Sequence, residues 1–103
     1  MITQFDPKTP TEIEPIFVDF TARLAISGAE TITGVSVTVI PIKGVDPSPS
    51  SMLIGSPVVS GNLVSQTLGG GINGNEYRIT VDITTNLGNR YSESAHIRVK
   101  NAD

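Results

Sequence analysis

The sequence lacks cysteine and tryptophan and contains a single histidine, His96. Without cysteine the chain can form neither a disulfide nor a thiolate site. A protein metal site needs several ligands at suitable spacing, and one histidine on the polar side of a predicted strand does not supply them. We therefore expect no cofactor and no metal.

Charge is sparse as well, with 17% charged residues and a formal net charge of −3. The basic residues are scattered, and the one close pair late in the chain, Arg98 and Lys100, alternates with apolar residues. A nucleic-acid surface needs a basic stripe, often with aromatic platforms. No contact with nucleic acid is therefore expected from the sequence.

Long apolar runs are absent too. Nothing approaches the roughly 18 apolar residues that span a membrane, and residues 1–6 lack the basic-then-apolar order of a secretory signal. We therefore expect cytoplasmic synthesis, with no contact between this chain and a membrane.

Residues 1–15 are rich in proline, with Pro7, Pro10 and Pro15. Proline removes a ladder donor and disfavours helix before it. We predict an extended N-terminal arm over residues 1–15 and a single β-sandwich domain over residues 16–103. A frayed terminus and an arm that lies along a partner protein both fit this composition.

Apolar and polar residues alternate with a period of two, which is typical of half-buried strands. The clearest case runs from Glu76 to Thr85, and a second runs from Tyr91 to Lys100. The residues predicted to face the core on these two strands are Tyr77, Ile79, Val81, Ile83, Ala95, Ile97 and Val99.

Further strands are predicted at residues 16–25, 30–40, 51–55, 57–60 and 62–68. In the first of these, five residues share one parity and are predicted to face the core: Ile16, Val18, Phe20, Ala22 and Leu24. In the second, Ile32 has the opposite parity to Val35, and Gly34 between them is interpreted as a bulge. In the strand predicted at residues 62–68, Leu63 and Val64 are adjacent, so the pattern does not show which of the two faces the core.

About seven short strands joined by turn-rich loops predict an all-β fold, a two-sheet antiparallel β-sandwich of the fibronectin type III or immunoglobulin-like kind. The pattern does not give the order of the strands. Residues 43–51, rich in proline and serine, are predicted to form a long exposed loop, and residues 69–75 a mobile hairpin loop.

Motifs that could carry chemistry are weak. Gly69, Gly71 and Gly74 have the spacing of a dinucleotide fingerprint, but that fingerprint needs a helix after it, and here a strand is predicted to follow. No serine lies in a nucleophile-elbow pattern, and Asp46 stands nearly alone in its loop, so a calcium site is not expected. The chain is predicted not to be an enzyme.

Part of the sequence resembles the penultimate strand of fibronectin type III domains. The shared pattern is a loop ending in Glu-Tyr, then alternating aliphatic residues, then a glycine turn. The resemblance implies that Tyr77 packs at the sheet edge and holds the loop before it. The residues that carry it are Leu68, Gly71, Glu76, Tyr77, Ile79, Val81, Asn86 and Gly88.

A second resemblance extends from about residue 19 to residue 99. The segments concerned are Asp19-Phe20, Leu24, residues 28–32, Gly70-Gly71, residues 77–80, residues 83–88 and residues 97–99. In order and spacing they resemble small tailed-phage structural proteins of the phage fibre-DNA adaptor kind, although those are often rich in tryptophan. The resemblance implies a virion or prophage component that acts as a binding module.

From these observations we expect a non-catalytic structural or assembly module of a phage virion that contacts other virion or surface proteins, with homo-oligomerisation as a further option. An immunoglobulin-like adhesion or carbohydrate-binding module at a cell surface is the alternative. The candidate interaction residues are Phe5, Phe17, Asp46, Pro47, Pro49, Gly70, Gly71 and Asn73.

Overall fold

The computed structural model describes residues 2–4, 8–9, 11–24 and 30–100. Over these residues the chain is all-β, as predicted, with two short helical turns, α1 (Thr21–Leu24) and a 3₁₀ turn (Pro49–Met52). The strands are β1 (Ile2–Gln4), β2 (Ile13–Asp19), β3 (Ile32–Lys43), β4 (Leu53–Ser60), β5 (Leu63–Gly69), β6 (Glu76–Thr85) and β7 (Arg90–Arg98).

The strands form two sheets. In the described part of the chain, one sheet has the order β1-β7-β6-β3 and the other β2-β5-β4. Every pair is antiparallel except β1 with β7. The second, fifth and fourth strands share one sheet and the third, sixth and seventh the other, which is the strand order of immunoglobulin constant-type sandwiches. Here the first strand joins the edge of β7.

The core lies between the sheets and follows the predicted alternation. The inward residues of β6 and β7 are buried, whereas Arg98 and Lys100 are exposed. On the facing sheet Val64 rather than Leu63 points inward, which settles the parity that the sequence left open. The buried apolar residues of the facing sheet and its flanks are Ile16, Phe20, Leu24, Met52, Val64 and Leu68.

The predicted bulge at Gly34 is confirmed, because the register between β3 and β6 shifts between Ile32 and Gly34. The strand continues through Pro41 to Lys43, beyond its predicted end at residue 40. β3 lies at the edge of its sheet, and an edge strand tolerates a proline because it need not donate to a second neighbour.

The predicted first strand, residues 16–25, is wrong at both ends. β2 begins at Ile13 and ends at Asp19, where the carboxylate accepts hydrogen bonds from the Thr21 N–H (2.9 Å) and Oγ1 (2.5 Å). The chain then turns into α1. Residues four apart share a face of a helical turn, so Leu24 is buried like Phe20 while Ala22 is exposed.

The segment predicted as an arm contacts the sandwich at several points. The boundary expected between residues 15 and 16 falls within β2, residues 2–4 pair in parallel with β7, and Lys8 forms a bridge with Val99. That this segment also reaches a partner protein stays a prediction.

Two further predictions are corrected. The strands expected at 51–55 and 57–60 form one strand, β4, whose register with β5 is irregular between Ile54 and Val58. The Gln66 amide nitrogen donates to the carbonyls of Ile54 and Gly55, both at 3.3 Å, which satisfies this irregular backbone. Residues 70–75 cross from one sheet to the other, so they are not a hairpin loop.

The inter-sheet packing predicts the cost of emptying the core. Ile79 is 1% exposed and Ile40 is 48% exposed on the same sheet. Ile79→Ala should lower the free energy of unfolding by about 2–5 kcal/mol because it leaves a cavity, whereas Ile40→Ala should lower it by less than about 1 kcal/mol. Urea titration followed by circular dichroism measures both, and equal losses would contradict the assigned faces.

Candidate interaction surface

Large apolar side chains cover the outward side of the three-stranded sheet. Ile13 is 66% exposed, Phe17 56%, Ile54 42% and Val58 60%. The strand register places Phe17, Ser65 and Val58 in one row across the sheet, and Pro15, Thr67 and Ile54 in the next. We call Ile13, Pro15, Phe17, Ile54 and Val58 the apolar face. A contiguous exposed apolar patch of this kind is typical of protein interaction sites.

Gly69 allows the two edges of this face to meet. A Cβ at Gly69 would lie 3.1 Å from Ile54 Cγ1 and 3.2 Å from Ile13 Cγ1. The two isoleucines therefore approach each other over the middle strand, where even a Cβ would make a tight contact with both. The result is a continuous apolar surface from β2 to β4.

Charge is absent from most of this sheet. Residues 47–75, which include β4 and β5, contain no Asp, Glu, Lys or Arg. On the β2 side the acidic residues Glu12 and Asp19 are exposed. The hydrogen bonds from Thr21 lower the pKa of Asp19, so this carboxylate carries its charge at neutral pH. The apolar face thus has an acidic rim on one side.

The outward side of the other sheet is mainly polar, although Ile40 is exposed on its edge strand β3. Its central rows pair Arg78 with His96 and Thr80 with Ser94 across β6 and β7. His96 Nδ1 lies 3.7 Å from Glu76 Oε2, and Asp82 accepts a hydrogen bond from Ser92. The two outer surfaces of the sandwich therefore differ in chemistry.

The sheet edges carry features that hinder addition of another strand. Pro15 lies on β2 and Pro57 on the irregular part of β4, so both edges of the three-stranded sheet contain a residue without an N–H. Pro41 likewise removes an N–H group from β3, an edge strand of the other sheet. Prolines and bulges at edges are known protections against strand pairing.

At one end of the sandwich, Tyr77 joins two loops. Its ring is buried, and its hydroxyl accepts a hydrogen bond from the Ile72 N–H (3.0 Å) and donates to Asp46 Oδ2 (2.8 Å). Burial raises the pKa of Tyr77. Immunoglobulin-like sandwiches use a tyrosine in this position, at the start of the sixth strand, to hold the preceding loop. The predicted contact of Tyr77 with the preceding loop is confirmed, whereas its predicted place at the sheet edge is wrong, because β6 is an inner strand.

Lys8 contacts the crossing loop, the connection formed by residues 70–75 between the two sheets, at a second point. Its side chain is buried, and Nζ donates to the carbonyls of Gly70 and Thr9, both at 2.6 Å. Burial lowers the pKa of Lys8, while the negative charges of Glu12 and Glu14 act in the opposite direction. The crossing loop is therefore tied to the sandwich at Gly70 and at Ile72.

The structure separates the predicted interaction residues into two groups. Phe17 lies on the apolar face. Most of the others lie in residues 44–49 and 70–75, the two loops that Tyr77 joins. There Asp46 accepts a hydrogen bond from the Tyr77 hydroxyl, and Gly71 packs against Val99. The remaining loop residues are Pro47, Pro49, Gly70 and Asn73, of which Pro49 is half-buried and the rest exposed. Phe5 lies outside the described residues.

The sequence interpretation missed Ile13, Ile54 and Val58 as surface residues. A signal for Ile54 and Val58 was present, because the stretch from residue 47 to residue 75 has no charge while its apolar residues occur at both strand parities. Exposed strands normally carry charged or polar residues on their outer side.

Within the described residues, no group of three or more His, Cys, Asp or Glu side chains could hold a metal ion. No helix among them is long and apolar enough to cross a membrane.

Comparison with known families gives one match. A family model described as podophage GP4 fiber-tail adaptor protein gp77 matches residues 8–98 of this chain. The matched range includes the apolar face and both loops at the Tyr77 end. A search of the curated proteins gave no match.

Removing the Tyr77 hydroxyl should destabilise the fold, because the Ile72 N–H would lose its acceptor. Tyr77→Phe is expected to lower the free energy of unfolding by about 1–3 kcal/mol. Ser94→Ala removes a hydroxyl that pairs with Thr80 Oγ1 on the outer surface, and should cost no more than about 0.5 kcal/mol. Urea denaturation tests both, and an unchanged midpoint for Tyr77→Phe would contradict the role given to this hydroxyl.

The raised pKa of Tyr77 also predicts a pH dependence. In the unfolded chain the phenol ionises near its ordinary pKa of 10.0, whereas in the fold it keeps its proton to higher pH. Stability from this group is therefore complete below pH 10 and is lost as the pH rises further. The stability difference between the unsubstituted chain and Tyr77→Phe should shrink from pH 8 to about pH 11. A constant difference would contradict the assignment.

Proposed function

The chain belongs to the podophage GP4 fiber-tail adaptor protein gp77 family and is a structural module of a phage, and we propose that it acts as a non-catalytic adaptor that connects a tail fibre to the tail through protein contacts. The family match over residues 8–98 carries this proposal. The matched range contains both sheets, so the proposal concerns the sandwich itself.

The apolar face supports a role in protein contacts. Side chains as large as Phe17 and Val58 gain little for the isolated domain while they are more than half exposed, since the hydrophobic effect rewards only area removed from water. Burying them against another protein would supply that gain. An adaptor needs such surfaces, and this one forms part of the rigid sandwich.

The buried polar groups support a non-catalytic role, because their hydrogen bonds stabilise turns of the fold. The buried carboxylate of Glu30 accepts hydrogen bonds from Thr85 Oγ1 (2.5 Å), Asn89 Nδ2 (2.7 Å) and the Tyr91 hydroxyl (3.0 Å). These contacts fix the connection between β6 and β7. A general acid or base needs access to a substrate atom, and a carboxylate surrounded by these donors serves the fold instead.

Nothing in the geometry favours the carbohydrate-binding alternative. Sugar rings stack on exposed aromatic side chains, and among the aromatic residues that the structure describes only Phe17 is exposed. Phe17 lies in one row with Ser65 and Val58, a setting that suits a protein surface better than a glycan.

Quantitative mass spectrometry of purified phage particles tests the adaptor role. The chain should be present in a fixed ratio to the tail proteins, and particles assembled without it should lack attached fibres. Complementation with the unsubstituted gene should restore the fibres and serves as the control. Absence of the chain from particles, or normal fibre attachment without it, would contradict the proposal.

A further inference from the structure

We propose that the apolar face is the docking surface for a second virion protein, whose contact surface has an apolar centre flanked by lysine or arginine where it meets β2. This inference rests on the proposed adaptor function and specifies which surface is used and what the partner must present.

The centre of the contact is defined by what the apolar face contains. Phe17 and Val58 lie in one row across the sheet with only Ser65 between them, and Ile13 and Ile54 meet over Gly69. The centres of protein interfaces are depleted in charge and enriched in aromatic side chains. The partner must therefore present apolar side chains at this position.

The charge expected on the partner follows from the acidic residues beside the apolar face. Glu12 and Asp19 are exposed on the β2 side, and β2, β4 and β5 contain no lysine or arginine. Charges across an interface are arranged to be complementary. A basic rim on the partner would meet this requirement, whereas β2, β4 and β5 of a second copy would bring Asp19 again and neither lysine nor arginine.

The mode of contact follows from the edges. Pro15 on β2 and Pro57 on β4 lack the N–H groups that an added strand would need, and the register of β4 is broken between Ile54 and Val58. A partner is therefore expected to cover the sheet from above, side chain to side chain. Main-chain pairing at these two edges is disfavoured.

Substitution on the two outer surfaces tests the location. Val58→Asp and Phe17→Asp each place a charge in the proposed contact, and Thr38→Asp places the same charge on the outer side of the edge strand of the other sheet. All three sites are exposed, so each variant should fold, which thermal denaturation verifies. Purified particles should contain at least about tenfold less of either apolar-face variant, because a charge buried without a partner is costly, and normal amounts of Thr38→Asp.

A photo-crosslinking amino acid at position 58 identifies the occupant in assembled particles, with position 38 as the control. Crosslinking from position 58 should yield an apolar segment of a different virion protein. The double variant Glu12→Gln, Asp19→Asn keeps acceptor oxygens for the bonds to Thr9 and Thr21 while removing the charge. It should assemble less well, with weaker dependence on salt.

The outcomes separate this inference from the adaptor role. If the unsubstituted chain is in particles but both apolar-face variants enter as well as it does, the inference is wrong and the adaptor role stands. A crosslink from position 58 to a second copy, or to nucleic acid, would also overturn it. Absence of the unsubstituted chain from particles would overturn the adaptor role and this inference with it.

Discussion

The packing of the inward side chains of β6 between the two sheets is the constraint on which the rest of the structure depends. Tyr77, Ile79, Val81 and Ile83 are all at most 1% exposed, and with no disulfide available their burial must hold the sheets together. Tyr77 extends this packing to one end of the sandwich, where its hydroxyl joins the loops that contain Ile72 and Asp46. The core thereby fixes both the sheets and the connections between them.

A sandwich built in this way has two outer surfaces, and the chain gives them different chemistry. The surface of β6 and β7 carries charged and hydroxyl side chains, as a sheet that faces water normally does. The surface of β2, β5 and β4 carries isoleucine, phenylalanine and valine with an acidic rim on one side. The chain belongs to a family of fiber-tail adaptor proteins, and the contact proposed for the apolar face would account for this difference.

The sequence correctly predicted the strands in which the position of each apolar residue shows which side of the sheet it faces. β6 alternates without a fault from residue 76 to residue 85, and the bulge at Gly34 followed from a change of parity. The helical turn after Asp19 was missed because Phe20 and Leu24 share a face in a strand and in a helix alike, and only the exposure of Ala22 separates the two. The contacts of Lys8 with Gly70 and of Tyr77 with Asp46 join distant parts of the chain. These contacts could be predicted only from the order of the strands, and the alternation of apolar and polar residues does not give that order.

Phe17 was predicted as a contact residue, but the surface around it was not. A single apolar residue in a strand does not show whether it faces a core or a partner, and only the uncharged stretch of residues 47–75 as a whole indicated an apolar outer face. A cryo-electron microscopy map of the tail in intact particles tests the central claim most directly. We predict density of another protein over Phe17 and Val58, with the outer side of β6 and β7 facing solvent. A map in which Phe17 and Val58 face solvent while the polar sheet is covered would contradict this account.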